Sequence, residues 1–332
     1  MAARYAVAIT PAMAELIDPG DLADPIARQF VPDAAELDVA PEEIADPIGD
    51  VAHSPVRGIV HRHPDRVLLK PVHTCPVYCR FCFRREVVGP GGEGTLTRAE
   101  MDVALAYIAG RPEIWEVIVT GGDPLILSAR RLRSLVGQMG AIEHVRIVRF
   151  HSRVPIVAPE RITAELVRAL RVEGAATWLV VHANHPRELT PAALEALGRL
   201  VDGGIPVLSQ SVLLRGVNDD PAVLGALLRG LVEARVKPYY LHHADLAPGT
   251  ARFRTRIDKG QAIMRTLRGR HSGLCQPTYV LDLPGGYAKS PIGPVYVTAS
   301  SSGTTILDNE GRPHRYPEVD EGRLALPTDQ LA

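Results

Sequence analysis

From Arg66 onward, short apolar runs alternate along the chain with longer segments whose apolar residues are spaced three and four apart. The short runs have the length and composition of buried strands, and the longer segments have the period of amphipathic helices. The predicted strands are RVLLKPVH, WEVIVTGG, VRIVRF, TWLVVHA, IPVLSQSVLL and VKPYYLHH, and a predicted helix follows each of them. This succession of strand–helix units predicts an α/β fold with a parallel sheet.

Polar residues follow each predicted strand, about once in every strand–helix unit of roughly 30 residues. They are the loop at Cys75, the Gly121-Gly122-Asp123 turn, Ser152-Arg153, His182, Gln210 and His242. The carboxyl ends of parallel strands lie on one face of a barrel, where barrel enzymes build their active sites. Because six units are fewer than the eight of a closed barrel, we predict a partial (βα)6 TIM-like barrel. A flat, doubly wound sheet, which also binds ligands at strand ends, is the alternative.

The segments before and after this repeat differ from it in composition and in predicted secondary structure. Residues 1–60 are rich in Ala, Asp, Glu and Pro and are predicted to form an N-terminal helical extension of the barrel at 61–272. Residues 273–332 are predicted to form a C-terminal segment with strands at TYVLDL, PVYVTASS and TTILDNEGRPHRY. Its DNEG sequence suits a hairpin turn, and its tail from Pro317 is expected to be loosely ordered.

The composition narrows the kind of molecule. The 332 residues carry 37 Lys and Arg against 38 Asp and Glu, a formal net charge of −1, so no basic excess indicates nucleic acid or an anionic membrane as a partner. No apolar run reaches the roughly 18 residues of a transmembrane helix. The N-terminus lacks the layout of a signal peptide, so we expect a cytoplasmic protein.

Three of the four cysteines lie close together, in the spacing C-x3-C-x2-C at Cys75, Cys79 and Cys82. Three thiolates on one loop can bind three irons of a cubane cluster, which leaves the fourth iron free for a small molecule. A structural zinc site, which usually takes four ligands, is the main competing metal site. Buried cysteines that pack as small hydrophobic side chains are the alternative without a metal.

The same loop carries a family resemblance. With Tyr78 just before its second cysteine, it resembles the radical S-adenosylmethionine superfamily. Further blocks narrow the resemblance to the lysine 2,3-aminomutase family, from about His61 to about Val297. They are HRHPDRVLLKPVHTCPVYCRFCFRR, TGGDPL, HANHPREL, SQSVLLRGVNDD, KPYYLHHADL and LDLPGGYAKSP.

The resemblance implies a [4Fe-4S] cluster, S-adenosyl-L-methionine and pyridoxal 5'-phosphate as cofactors, with Cys75, Cys79 and Cys82 as cluster ligands. It implies that the S-adenosylmethionine site comprises Gly121, Gly122, Asp123, Ser152 and Arg153. Glycines permit close backbone approach and a carboxylate can pair with an ammonium group. Taken alone, the Gly-Gly-Asp segment equally fits a turn with an Asp helix cap.

Lys289, at the end of the PGGYAK sequence, matches the catalytic lysine that carries pyridoxal phosphate. Other matched positions around this cofactor are Arg62, His63 and Arg66, which precede the first predicted strand, and His182 and Gln210 at two strand ends. Arginine suits phosphate because it binds two oxygens at once. Without the resemblance, Lys289 fits an ordinary surface lysine, and His182 and Gln210 fit ordinary strand-end polarity.

Three residues match substrate contacts in the family. Arg84 matches the residue that binds the substrate α-carboxylate, and Asp245 and Asp282 match two carboxylates that receive the distal amino group of lysine. An arginine fork for one end and two carboxylates for a cation form a coherent set. A glutamate side chain would face like charge at the same carboxylates. Two Asp residues that only cap loops are the alternative.

The resemblance thus implies an isomerase, an intramolecular aminotransferase that interconverts L-lysine and β-lysine. An aminomutase acting on another amino acid, or on lysine in the modification of elongation factor P, is one alternative, and a non-enzymatic iron–sulfur or zinc-binding protein is another. The expected partners are an amino acid substrate and an electron donor such as flavodoxin or ferredoxin, with a homo-oligomer left open.

The sequence departs from the family at several positions. His63 stands where the family has Tyr, and Phe81 stands where it has His. No cysteine follows Cys275, and Asp220 stands where longer members have a zinc-binding cysteine, so the resemblance does not extend to their structural zinc. The short length resembles relatives that act in elongation factor P modification, but those relatives tend to lose the acidic residue at the position of Asp282.

Overall fold

The computed structural model of the protein describes residues 5–89, 94–300 and 303–317, and its main feature is a nine-stranded sheet. The strands are β1 (Ile59–His63), β2 (Arg66–Val72), β3 (Glu116–Gly121), β4 (Ile147–Ser152), β5 (Ala176–His182), β6 (Val207–Leu213), β7 (Lys237–His243), β8 (Thr278–Asp282) and β9 (Lys289–Pro291). Strands β2 to β8 are parallel to their neighbours, and β1 and β9 pair antiparallel at the two edges.

The strand order of this sheet follows the chain from β1 to β9. A doubly wound sheet reverses its order at a switch point, whereas the strands of a barrel follow in sequence. The six predicted strands correspond to β2–β7, so the partial α/β barrel is confirmed. Within the described residues β1 and β9 do not pair with each other, which leaves the barrel open.

Helices follow the parallel strands and bury their apolar faces in the same core as the sheet. They are α3 (Arg98–Ala109), α4 (Ala129–Gly140), α5 (Val154–Val157), α6 (Ala164–Ala169), α7 (Pro191–Asp202), α8 (Pro221–Glu233) and α9 (Ile257–Arg270), after α1 (Pro11–Ala14) and α2 (Pro25–Phe30) near the N-terminus. The starts of the long helices are encoded locally, because Thr97, Ser128 and Thr190 each accept a hydrogen bond from the amide three residues ahead. Asp220 caps α8 in the same way.

The two edges of the sheet differ from the sequence prediction. Arg62 and His63 lie in β1, so the prediction that they precede the first strand is wrong. Arg66 begins β2, where the predicted strand RVLLKPVH also starts. The β1 sequence IVHRH is mostly polar and forms a strand because it pairs with β2 in a hairpin. At the other edge, the TYVLDL segment forms β8 and continues the parallel sheet.

A second, smaller sheet follows at the C-terminus. Strands β10 (Val297–Ser300), β11 (Gly303–Leu307) and β12 (Pro313–Tyr316) pair antiparallel. The predicted DNEG hairpin turn is confirmed, because the Gly311 amide donates to the Asp308 carbonyl at 3.0 Å and Gly311 has a φ of +81°. Of the predicted tail, only Pro317 is among the described residues, and the rest of this prediction lies outside them.

The N-terminal extension is mostly irregular and lies across the loop that carries the three cysteines. Its anchor is the fully buried Glu36, which accepts hydrogen bonds from Arg80 and Arg85 of that loop. Arg252, which follows β7 in the chain, also pairs with Glu36. Removing one member of such a buried ion pair typically costs about 3–5 kcal/mol, so this contact fixes the extension over the loop.

None of the helices in the part of the chain described here combines the length and apolarity that a membrane crossing requires.

Candidate active site

The cysteine loop begins at the carboxyl end of β2, and its three thiols line one pocket. Cys75, Cys79 and Cys82 share this pocket with Tyr5 and Tyr78, among others. Desolvation raises the pKa of Cys82 to about 11 and that of Cys75 well above its usual value, and the neighbouring thiols add to both shifts. Thiolates are therefore costly here until a cation neutralises them, as ligation to a metal would do.

The donor set fits an iron–sulfur cubane better than a single metal ion. Among the described residues, no three His, Cys, Asp or Glu side chains are grouped so that they could hold one ion. The cysteines of a cubane bind different irons and need not meet at one point. Cys275 is 4 % exposed and packs in the hydrophobic core, away from the pocket that the other three share.

Two glycines allow the end of β3 to approach the cysteine loop. Gly121 has a φ of +113°, and a Cβ on it would lie 2.7 Å from the Val72 carbonyl oxygen. A Cβ on Gly122 would collide with the backbone of His73 and Thr74. The Gly-Gly pair thus positions the first part of the loop, immediately before Cys75.

Replacing Gly122 with Ala should lower the free energy of unfolding by about 1–3 kcal/mol, because the loop backbone has to move to admit a methyl group. Gly137→Ala in α4 is the matched control, since a Cβ there meets nothing within 4 Å. In the control, Ala should stabilise the helix by up to about 1 kcal/mol. Chemical denaturation of both variants measures the difference, and equal unfolding free energies would contradict the close approach at Gly122.

Asp123 is buried and joins the ends of β3 and β4. Its carboxylate accepts hydrogen bonds from the Ser152 hydroxyl at 2.8 Å and from the amides of Leu125, Arg153 and Val154. Desolvation raises its pKa despite these bonds. The structure therefore brings Gly121, Gly122, Asp123, Ser152 and Arg153 together beside the cysteine loop, with Asp123 also capping the one-turn helix Pro124–Ile126.

Lys289 is placed by a tight hairpin between β8 and β9. Gly285 and Gly286 have φ values of +87° and +78°, and a Cβ on Gly286 would lie 2.7 Å from the Ile48 carbonyl oxygen. The turn therefore packs against the N-terminal extension, and Lys289 comes opposite Asp282 in the register of the two strands.

The Lys289 ammonium group lies among polar groups of the neighbouring strands. Its Nζ donates to Asp282 Oδ2 at 2.5 Å, and His242 Nδ1 lies 3.2 Å from the same oxygen. Desolvation alone would raise the pKa of Asp282, but His242 and Lys289 outweigh it and lower that pKa. The ring of Tyr240 lies 5.5 Å from Nζ. Asp282 thus holds Lys289 as well as facing the cavity beside it.

Asp245 and Asp282 line one cavity of about 420 Å³ at the ends of β7 and β8. Desolvation, and then the charge of Asp282, raise the pKa of Asp245 to about 7, against opposing effects of Lys289 and Arg84. Two carboxylates in one cavity cannot both ionise cheaply. The cavity can therefore accept a cation, which would favour the ionised form of Asp245 beside the charged Asp282.

Arg84 and Arg62 converge on Asp50, a buried carboxylate of the N-terminal extension. Arg84 Nε donates to Asp50 Oδ2 at 2.9 Å, Arg62 pairs with the other oxygen, and Lys70 Nζ lies 3.9 Å away. Burial would raise the pKa of Asp50, but the charges of Arg84, Lys70 and Arg62 outweigh it and lower that pKa. An excess of positive charge thus surrounds one carboxylate, which suits an additional anion.

The other positions predicted around the cofactor phosphate are less tightly held. Arg66 pairs with the adjacent and exposed Asp65. Desolvation, followed by the charges of Arg66, Arg62 and others including Lys289, lowers the pKa of His63, so His63 lies near this basic group.

His182 and Gln210 meet at the ends of β5 and β6. Gln210 Nε2 lies 2.6 Å from His182 Nε2 and 3.3 Å from His151 Nδ1. Desolvation lowers the pKa of His182 to about 3 and also lowers that of His151, so both rings are neutral at pH 7. Of the atoms described, His151 Nε2 and His242 Nε2 are buried without a hydrogen-bond partner, which leaves two nitrogens available to a bound group.

Sequence reasoning missed several of these residues. Asp50 lies in a segment predicted only as an extension, and Glu188 and Gln29 contact the site through the buried Arg153. His151 precedes Ser152 by one position, so its place at the end of a predicted strand was the signal that could have identified it.

Comparison with known proteins agrees with this geometry. The family model for the radical SAM superfamily matches residues 69–224, and the model for lysine-2,3-aminomutase matches residues 264–329. The L-lysine 2,3-aminomutase of Clostridium subterminale is 44% identical over 303 residues, which are 91% of this chain and 72% of the relative. This chain belongs to the lysine 2,3-aminomutase family. The resemblance drawn from the motifs is confirmed, and the enzyme is an isomerase of the radical SAM type.

Other relatives bear on the substrate. The L-lysine 2,3-aminomutase of Bacillus subtilis is 39% identical over 94% of this chain and 66% of the relative. A glutamate 2,3-aminomutase of Clostridioides difficile is 36% identical over 92% of this chain and 71% of the relative. Sequence similarity alone therefore does not distinguish lysine from glutamate as the substrate. A solved radical SAM methyltransferase from Sphaerobacter thermophilus matches with a TM-score of 0.46 at 21% identity, over 67% of this chain and 68% of its own, which is too distant to bear on the reaction. The family implies a [4Fe-4S] cluster, S-adenosylmethionine and pyridoxal phosphate as cofactors.

Proposed function

We propose that the enzyme interconverts L-lysine and β-lysine by moving the amino group between C2 and C3. The observation that carries this proposal is the cavity lined by Asp245 and Asp282, next to Lys289. A distal ammonium group would pair with these carboxylates, whereas the side-chain carboxylate of glutamate would meet like charge.

The residues fit the three cofactors as follows. Cys75, Cys79 and Cys82 would hold the cluster, the Gly121–Asp123 turn with Ser152 would lie beside S-adenosylmethionine, and Lys289 would carry pyridoxal phosphate. When bound, the cluster and S-adenosylmethionine supply an organic radical, and pyridoxal phosphate holds the migrating amino group.

The remaining side chains bind and orient the substrate. Arg84 contacts Asp50 through Nε, and its terminal nitrogens would bind the substrate α-carboxylate as a fork. Arg62, His63 and Arg66 supply positive charge for the cofactor phosphate. His182 and Gln210, with neutral His151, offer hydrogen-bonding groups that add no charge to the site.

Anaerobically purified protein tests the proposal. Iron and pyridoxal phosphate are measured on one sample, which is then incubated with L-lysine, S-adenosylmethionine and a reductant. We expect β-lysine, and no β-lysine when S-adenosylmethionine is omitted. A sample that contains both cofactors yet leaves lysine unchanged would overturn the proposed reaction.

We also infer a small electron-transfer protein such as flavodoxin or ferredoxin as partner, because reductive cleavage of S-adenosylmethionine takes one electron.

Three expectations from the sequence stay predictions: the cytoplasmic location, the limits of the three chain segments and a homo-oligomeric state.

Lys289 should be the lysine that carries the pyridoxal group. Borohydride reduction of the holoenzyme fixes that group covalently, and peptide mapping should find it on Lys289. Lys237 and Lys259 are internal controls, since Lys237 Nζ donates to backbone carbonyls and Lys259 pairs with Asp219. A tag on either control, or on Lys70, would remove Lys289 from the site.

Lysine binding should strengthen as pH rises through neutrality. Asp245, with its pKa near 7, keeps its proton below that pH and loses it above, and only the ionised form pairs with an ammonium group. The apparent KM for lysine should therefore fall about tenfold between about pH 6 and 8 and then level off. Steady-state kinetics across this range measure it, with Asp245→Asn as the control that should flatten the profile. A flat wild-type profile would contradict the shared cavity.

A further inference from the structure

Arg153 makes a direct contact with one of the three clustered cysteines. It follows β4, is 7 % exposed, and its Nη1 donates to Cys79 Sγ at 2.8 Å. Hydrogen bonds to ligand sulfurs and nearby charges are two of the means by which proteins set the potential of iron–sulfur clusters. The contact therefore places a buried cation at the edge of the proposed cluster site.

The opposite edge of the guanidinium group is held by a second set of buried groups. Arg153 Nη2 donates to Glu188 Oε2 at 2.8 Å and to Gln29 Oε1 at 2.7 Å. Glu188 is fully buried and also accepts from Gln29 and from the amides of Asn184 and His185. Each partner is thus fixed by contacts of its own, so the direction of the guanidinium group toward Cys79 is fixed as well.

We propose that Arg153 is a positioning residue that orients Cys79 as a cluster ligand and raises the reduction potential of the cluster, with Glu188 limiting that effect. The inference rests on the proposed role of the three cysteines. It adds a contact with the cluster ligand Cys79 to the role in S-adenosylmethionine binding that the resemblance implies for Arg153.

The signs follow from charge. Reduction adds one electron to the cluster, and a buried cation stabilises the added negative charge. Removing the cation should therefore lower the potential. Glu188 offsets part of the positive charge of Arg153, so neutralising Glu188 should raise the potential. A purely structural role for these residues would not give shifts of opposite sign.

The experiment is a redox titration of the anaerobically purified holoenzyme without S-adenosylmethionine, followed by electron paramagnetic resonance of the reduced cluster. At a fixed solution potential, Arg153→Met should decrease the ratio of reduced to oxidised cluster at least tenfold. A tenfold change corresponds to a fall of about 59 mV in the reduction potential of a one-electron couple. Glu188→Gln should shift the ratio in the other direction. Arg149→Met is the matched control, because Arg149 lies in β4, just before Arg153 in the chain, but pairs with Glu116 at 2.9 Å.

The outcomes separate the two proposals. Wild-type protein without a cluster would refute the proposed function itself. A wild-type cluster whose potential moves in neither variant, or moves equally in the Arg149 control, would overturn only the role of Arg153. If Arg153→Met fails to retain iron, Glu188→Gln decides: a higher potential supports the role and an unchanged one overturns it.

Discussion

Replacing Cys79 with Ala should remove most of the bound iron and sulfide and abolish lysine turnover. The thiol of Cys79 lines the same pocket as those of Cys75 and Cys82, and no His, Asp or Glu is among the described residues that line it. In this variant two of the three protein thiolates remain, so the cluster is held less tightly. The iron content and the absorbance of anaerobically purified protein measure the loss.

Cys275→Ala is the matched control for this experiment. Cys275 is buried in the core, so its replacement should cost some stability but leave the iron content at the wild-type level. If iron fell equally in both variants, Cys275 would be a ligand, and the argument for an iron open to S-adenosylmethionine would fail.

Replacing Asp245 with Asn should raise the apparent KM for lysine by one to two decades. The substitution removes a charge-assisted hydrogen bond to the substrate ammonium group, worth about 1.5–3 kcal/mol when buried, and about 1.4 kcal/mol corresponds to a factor of ten. Iron and pyridoxal contents should stay unchanged, because Asp245 is not part of the lining of the cysteine pocket and Lys289 pairs with Asp282. Steady-state kinetics with lysine, with both cofactors quantified, measure the effect.

Asp282→Asn should have a broader effect than Asp245→Asn. Asp282 lines the same cavity but also accepts from Lys289 and contacts His242. Its replacement should therefore weaken lysine binding and also lower the pyridoxal content. Asp202→Asn, at an exposed ion pair with Arg235, is the control that should leave both unchanged. Wild-type lysine kinetics in either cavity variant would exclude that carboxylate as a partner of the substrate.

The barrel could be predicted from the sequence because its signals are local. Each parallel strand is an apolar run, and residues such as Thr97 and Asp220 mark helix starts within a few positions. The edges of the sheet carry no such signal. Strand β1 is mostly polar, and β9 has three residues, so both depend on the partner strands that the fold supplies.

The site was predictable where chemistry is concentrated in a short segment, as in the cysteine loop and the hairpin before Lys289. The contacts that surround these segments join distant parts of the chain, such as Asp50 with Arg84 and Gln29 with Glu188. No periodicity or spacing encodes such pairs. The same limit applies to Asp282, whose bond to Lys289 depends on the register of β8 and β9.

The most direct test of a lysine-specific site is a comparison of kcat/KM for L-lysine, L-arginine and L-glutamate with one preparation of the anaerobic holoenzyme. Asp245 and Asp282 in one cavity predict that lysine is the best substrate and that glutamate is turned over least. Turnover of glutamate at a rate equal to or above that of lysine would contradict the account, since two carboxylates would then be facing an anionic side chain.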